Sequence, residues 1–256
     1  MQVGSFRVTV DDAIPPTVRA SGELDQSSCA AFESILTAAL DKSADRINLA
    51  LVDVTFVDSS GLTVLISAAL RGQKVGRRLS IVSMSQHLNH MLTISGFEHL
   101  FGTSDLQPVG EEKTAPSRTV MEPCSFAVKR QKGACKTARD QVYEFARGMG
   151  FDQLTLDDIK LAVGEAVSNA VRHGAECGET IDVHCSNSPG KLVVTLKYPS
   201  AEFDPLAIPT PTYSTAAEGG MGIYFMRLVM DEVRYEFAEG HTQVTLEKRI
   251  QAGGPD

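Results

Sequence analysis

The sequence predicts two α/β domains in tandem: the first with a substantially parallel sheet, the second with helices on one side of a mostly antiparallel sheet. Three observations carry this. Apolar strands alternate with amphipathic helices from about residue 5 to residue 96, the pattern of a sheet built by crossover connections. The stretch VGEEKTAPSRTV at 109–120 then breaks the apolar periodicity with charge, Gly, Pro and Ser, and reads as a linker. Beyond it, two helices are followed by two pairs of strands with short turns.

In the first domain, strands are expected near 5–10 and 16–22. Asp25 and Ser27 then start a helix to about Leu40, with Phe32, Ile35, Leu36, Ala39 and Leu40 at helical spacing. RINLALVDVTFV is nearly continuous in apolar residues, as a central strand is. A helix from Ser59 to Lys74 turns Leu62, Leu65, Ile66 and Ala69 inward. RRLSIVSM gives a further strand, and QHLNHMLTISG a helix that ends at Gly96.

In the second domain, a strand at 125–130 leads to a helix ending near Gly148. A second helix runs from about Leu156 to His173, with Thr155 and Asp158 read as a capping box. Strands 180–187 and 191–198 flank NSPG, a hairpin turn. A Pro-rich loop covers 199–218, GGMG opens a helix to about Met230, and strands 232–238 and 242–249 end the pattern. The domain reading is therefore 1–108, linker 109–120, 121–250 and a tail at 251–256.

Composition removes several function classes. The chain has 256 residues, 43% of them apolar, and a formal net charge of -8. An acidic chain lacks the basic face that direct nucleic-acid binding needs. No apolar run reaches the roughly 20 residues of a membrane span. The start, MQVGSFRVTVDD, has neither a basic n-region nor an apolar h-region, so no signal peptide is expected and the location expected is cytoplasmic. Five cysteines without a C-x-x-C pair point to reduced thiols rather than a disulfide framework or zinc ribbon. Met84, Met91, Met149, Met226 and Met230 read as core fillers, and His87, His90, His99 and His241 lack a partner at metal-ligand spacing.

The chemistry concentrates in three short stretches. In LAVGEAVSNAVRHGA, Glu165, Asn169 and His173 lie four apart and share one helix face, beside a buried face of Ile159, Val163, Ala166 and Ala170. Such a stripe sits where a pocket rim would be. A carboxylate and a carboxamide one turn apart suit a hard cation with phosphates, and a base for an attacking hydroxyl. In EGGMGI, Gly219, Gly220 and Gly222 let the backbone approach a phosphate just before a helix N-terminus. In TFVDSSGLTVL, a strand breaks at Asp58, and Ser59 and Ser60 follow it into a helix; Asp58 is a natural N-cap.

Taken together, E-A-V-x-N-A-x-x-H-G, a hairpin, F-D-P and G-G-M-G-I resemble, over residues 121–250, the GHKL ATPase superfamily. Within it the nearest likeness is to the anti-sigma-factor serine kinases of bacterial partner switching. That resemblance implies an α/β sandwich, Glu165 as general base, Asn169 as the Mg²⁺ ligand, and Gly219–Gly222 over the phosphates of ATP; His173, which shares the Glu165 stripe, is then expected near those phosphates. In one place the chain departs from the family. The family's D-x-G, whose Asp receives the adenine amino group, is replaced by Tyr198 and Ser200. Residues 5–105, with D-S-S-G-L as their most specific part, resemble a STAS domain, the fold of anti-sigma-factor antagonists. In that family the serine after the Asp is phosphorylated, which maps onto Ser59.

The expected partners are a sigma factor, a STAS-type antagonist, a PP2C-type phosphatase that would reset the serine, and a contact between the two domains within one chain or across a dimer. The expected activity is ATP-dependent serine phosphorylation of a STAS domain, the chain's own Ser59 included. The alternative is a nucleotide-free protein-interaction module with a degenerate ATP site. A sensor histidine kinase fits less well, since no helix pair carries a phospho-acceptor histidine.

Overall fold

The computed structural model describes residues 1–3, 6–11, 13–42, 45–103, 121–173, 180–200 and 221–250. The described residues up to 103 form one compact unit, and those of 121–200 and 222–250 form another.

The first unit runs β1 (Gln2–Val3), β2 (Phe6–Val10), β3 (Thr17–Leu24), α1 (Cys29–Lys42), β4 (Arg46–Val57), α2 (Ser59–Lys74), β5 (Arg78–Met84), α3 (Gln86–Ser95), a 3-10 turn (Glu98–Leu100) and β6 (Gly102–Thr103). The six strands lie in sequence order. β1, β2 and β3 pair antiparallel, and β3, β4, β5 and β6 pair parallel. The parallel half is the part joined by helices, because each helix returns the chain to the edge at which the previous strand began.

The expected α1 start is corrected from Asp25 to Cys29. Asp25 Oδ1 accepts the Ser27 N–H at 3.0 Å and Ser28 Oγ accepts the Asp25 N–H at 3.0 Å, so these residues close a turn that precedes the helix. The core is Phe32, Leu36 and Leu40 from α1, Leu62, Leu65 and Ile66 from α2, and the β4 residues Ile47, Leu49, Leu51, Val54 and Phe56, all fully buried. Met91 joins them, whereas Met84 is only half-buried.

The second unit runs β7 (Cys124–Lys129), α4 (Ala134–Arg147), α5 (Gln153–His173), β8 (Thr180–Ser188), β9 (Lys191–Pro199), α6 (Gly222–Val229), β10 (Glu232–Ala238) and β11 (His241–Arg249). Its five strands form one wholly antiparallel sheet in the order β10-β11-β9-β8-β7. Pro189 and Gly190 make the β8–β9 turn, with Gly190 at φ 77°, the left-handed position that a type II turn reserves for glycine. α5 packs on α4, α6 and the sheet.

The expected capping box at Thr155 and Asp158 is not what starts α5. Asp152 Oδ1 accepts the Thr155 N–H at 2.7 Å, while Asp158 is buried and faces Lys248 at 3.9 Å. Both spacings satisfy a cap in sequence; the nearer Asp wins because it precedes the helix. Among the described residues no helix is long and apolar enough to cross a membrane.

Candidate functional site

α5 delivers Glu165 and Asn169 one turn apart, as their spacing requires, but deeper than a rim. Glu165 is 3% exposed and Asn169 is 7% exposed. The helix that follows the Pro-rich stretch begins on top of this carboxylate. A Cβ at Gly222 would collide with Glu165 Oε2, so only glycine lets α6 start there without turning the carboxylate aside. The carboxylate thus lies at the positive end of α6. Asn169 Nδ2 is buried and, among the described residues, meets no acceptor at hydrogen-bond geometry, although the Tyr235 phenol of β10 is near enough to interact with it. Burial pushes the Tyr235 phenol up, as do Tyr198 and Glu165; Asn169 and Arg227 pull the other way.

At the end of β9, Tyr198 is buried, and it stands directly opposite Thr242 in the β9–β11 register. Beside it, the hydroxyls of Ser200 and Thr242 bond each other. Ser200 also donates its N–H to the Gly240 carbonyl at 3.0 Å. The Arg130 guanidinium covers the Tyr198 ring at 5.6 Å and donates to the Pro199 carbonyl at 2.8 Å. Burial raises the Tyr198 phenol above its ordinary pKa, against the opposing pull of Thr242 and Arg130. This wall is therefore a set of neutral hydroxyls under one cation, where a carboxylate was the pattern expected from the resemblance.

Tyr235, Thr242 and Arg130 escaped the sequence reading. Each sits on or beside a strand, and only pairing register brings them to Asn169 and Tyr198. Among the described residues no three His, Cys, Asp or Glu side chains gather to hold a metal. His173 ends α5, but its side chain lies outside the described residues, as do Gly219 and Gly220.

In the first unit the D-S-S-G stretch is a helix start with two duties. Asp58 Oδ1 accepts the Gly61 N–H at 2.9 Å and caps α2, while Oδ2 accepts the Gln26 N–H at 3.1 Å and ties down the turn after β3. Gly61 is required because a Cβ there would collide with the Leu24 carbonyl and lie 2.8 Å from Leu24 Cγ. Ser59 is the first residue of α2 and is 6% exposed, whereas Ser60 is half-buried. The surroundings are acidic: after burial, Asp58, Asp25 and Glu33 are what push the neighbouring Cys29 thiol up. His87 stacks on Phe56 at 5.5 Å and reaches the Val57 carbonyl at 3.1 Å, a packed core residue.

Comparison with known proteins follows the same division. Residues 128–248 match the family model described as a histidine kinase-like ATPase domain, and residues 9–106 match the model described as Mlab, STAS domain. The serine-protein kinase RsbW of Bacillus licheniformis is 32% identical over 108 residues, covering 38% of this chain and 67% of that protein. The anti-sigma F factor of Clostridium perfringens is 30% identical over 102 residues, 37% of this chain and 73% of that protein. A solved structure of RsbU and RsbW domains from Mycobacterium tuberculosis is 22% identical and aligns with a TM-score of 0.38, over 50% of this chain and 32% of that one. The chain thus spans about two thirds of the curated relatives and a third of that solved structure. It belongs to the histidine kinase-like ATPase family, on the branch of the RsbW-type proteins, and carries a STAS domain ahead of its ATPase domain.

Proposed function

We propose that this protein is a partner-switching regulator that phosphorylates a serine of a STAS domain with ATP and binds a sigma factor or a STAS-type antagonist in alternation. The observation that carries the proposal is the buried pair Glu165 and Asn169, with α6 starting against the carboxylate at Gly222. Glu165 takes the proton of the serine hydroxyl as that oxygen attacks. Asn169 offers its carbonyl oxygen to Mg²⁺.

The protein groups fit that ion. Mg²⁺ takes one or two protein oxygens and completes its shell with phosphates and water, so the carboxamide oxygen of Asn169 beside the phosphates suits it. When bound, it neutralises charge between the phosphates of ATP. Gly219, Gly220 and His173 are assigned to the phosphates by the motif. Tyr198, Ser200 and Thr242 receive the base, with Arg130 closing over the ring.

Ser59 is the proposed acceptor. A phosphate there adds about -1.5 to -2 charges beside Asp58 and Asp25, enough to repel an apolar or acidic partner without unfolding the domain. A buried first-turn hydroxyl reaches a kinase through fraying of the helix end, where opening costs least. A PP2C-type phosphatase would reset it.

The test is intact mass and peptide mapping after incubation of the full chain with Mg-ATP. One phosphate at Ser59 is expected, absent from Ser59→Ala. Glu165→Gln should lower the transfer rate by about 10²–10⁴-fold while leaving nucleotide affinity within a few fold. The dependence of rate on protein concentration separates transfer within one chain from transfer between two. Phosphate confined to Ser60 overturns the acceptor, and calorimetric silence with ATP leaves the interaction module without catalysis.

A further inference from the structure

We propose that Cys124 and Cys185 are a thiol pair that closes to a disulfide when the protein meets a hydroperoxide, stapling the edge strand of the second sheet to its neighbour. β7 is the outermost strand, and Cys124 is its first residue. It faces Cys185 of β8 in an unbroken register of pairs that ends at Lys129 and Thr180. Directly opposed residues of antiparallel strands hold their Cα atoms about 4.5–5.5 Å apart, inside the range of disulfides. The Cys124 sulfur lies near enough to Cys185 to push that thiol up. The remaining described thiols, Cys29 and Cys135, sit on α1 and α4.

The pair is unequal, and the inequality divides the chemistry. Cys124 is half-buried and open to a small oxidant, whereas Cys185 is fully buried. Burial and the neighbouring sulfur hold the Cys185 thiol well above the usual range, so it stays protonated and does not meet peroxide itself. The Cys124 thiolate attacks the O–O bond of hydrogen peroxide. One oxygen stays on sulfur as the sulfenic acid, and the other leaves as hydroxide and takes the thiol's proton as water. The Cys185 sulfur then displaces the sulfenic hydroxyl, forms the S–S bond and releases a second water. Two thiols and one peroxide give one disulfide and two waters; the sulfurs lose the two electrons that the peroxide gains. The bond encloses α4 and α5, with Glu165 and Asn169, in one covalent loop, so oxidation holds the nucleotide-site helix against local opening.

The experiment treats the full chain with stoichiometric hydrogen peroxide, then maps peptides without reduction. Expected are a loss of about 2 Da reversed by dithiothreitol, a linked Cys124–Cys185 peptide, and a higher melting midpoint of the tyrosine signal. Cys124→Ser, at a sheet edge, should abolish the loss and leave Cys185 alkylatable. In Cys185→Ala, a sulfenic acid should accumulate at Cys124 and react with a dimedone probe. Linkage of either cysteine to another partner overturns the proposal. So does sulfinic acid at Cys124 with Cys185 still alkylatable, or a pair that stays reduced while Cys29 or Cys135 oxidises.

Discussion

Gly61 and Gly222 sit in the first turns of two helices, one in each unit, and both are glycine for the same steric reason. What a methyl group would strike differs. At Gly61 it strikes the backbone carbonyl of Leu24, which is fixed in the sheet. At Gly222 it strikes the far end of the Glu165 side chain, which rotates. A fixed obstacle makes the glycine a matter of stability; a mobile one makes it a matter of chemistry, because what gives way is the proposed base.

Gly222→Ala breaks or sharpens this contrast most. The fold should survive, with a melting midpoint close to wild type, since one carboxylate can turn aside. Displacing a catalytic group by about 1 Å costs on the order of 10² in rate. Phosphotransfer measured against wild type should therefore fall about 100-fold at nearly unchanged stability. A rate that holds, or a protein that no longer folds, would place the carboxylate's partner elsewhere.

Gly61→Ala should do the reverse. Overpacking against a backbone atom costs about 1–3 kcal/mol, offset slightly by the better helix propensity of alanine. The first unit should lose that stability while nucleotide binding by the second is untouched. The probes differ as well: four of the five tyrosines, Tyr143, Tyr198, Tyr224 and Tyr235, lie on elements of the second unit, so tyrosine emission chiefly follows that unit and hydrogen exchange is needed for the first.

How much of this was legible in the sequence depends on the range over which each feature is determined. β4 and α2 meet the expected bounds because Asp58 is a local signal that ends one and caps the other. Glu165 and Asn169 were legible as a stripe from their i, i+4 spacing alone. Their burial was not, because it depends on α6 arriving from about fifty residues away to cover them. The hydroxyl wall was least legible. Tyr198 and Thr242 become neighbours through the β9–β11 register, and Arg130 reaches them from the end of the far edge strand. No periodicity in the chain encodes such a meeting. The misplaced cap of α5 is a smaller case: Asp152 with Thr155 and Thr155 with Asp158 share the same spacing, and only geometry chooses.

The hydroxyl wall gives the next comparison, between neutral and charged readers of a base. Tyr198→Asp together with Ser200→Gly removes the phenol and the Ser200 hydroxyl that now occupies Thr242. Thr242 is then free to donate to the new carboxylate, and Arg130 stands ready to balance its charge. ATP affinity should rise by about 1–3 kcal/mol, and the ratio of ATP to GTP affinity should rise with it, because a carboxylate accepts from an exocyclic amine and repels a carbonyl. Equal affinities for the two purines in the double variant, measured by calorimetry, would mean that this wall does not face the base.

The smallest expected effect concerns Asp58, whose two oxygens serve two segments. Asp58→Ala removes both acceptors, the α2 cap at Gly61 and the tie to Gln26, and a lost cap costs about 1 kcal/mol. Asp58→Asn is the sharper variant. Asparagine caps as well as aspartate, but it has one acceptor oxygen and turns an amide toward the other partner. If the oxygen stays on Gly61, the Gln26 N–H faces a donor and is left without its bond. Hydrogen exchange then reads the two duties apart. In Asp58→Ala both amides should exchange faster. In Asp58→Asn the Gly61 amide should stay protected while Gln26 opens, and the overall loss should be a few tenths of a kcal/mol, since the Gln26 bond is exposed to water. Protection of both amides in Asp58→Asn would show that the turn after β3 holds itself, and that Asp58 serves the helix alone.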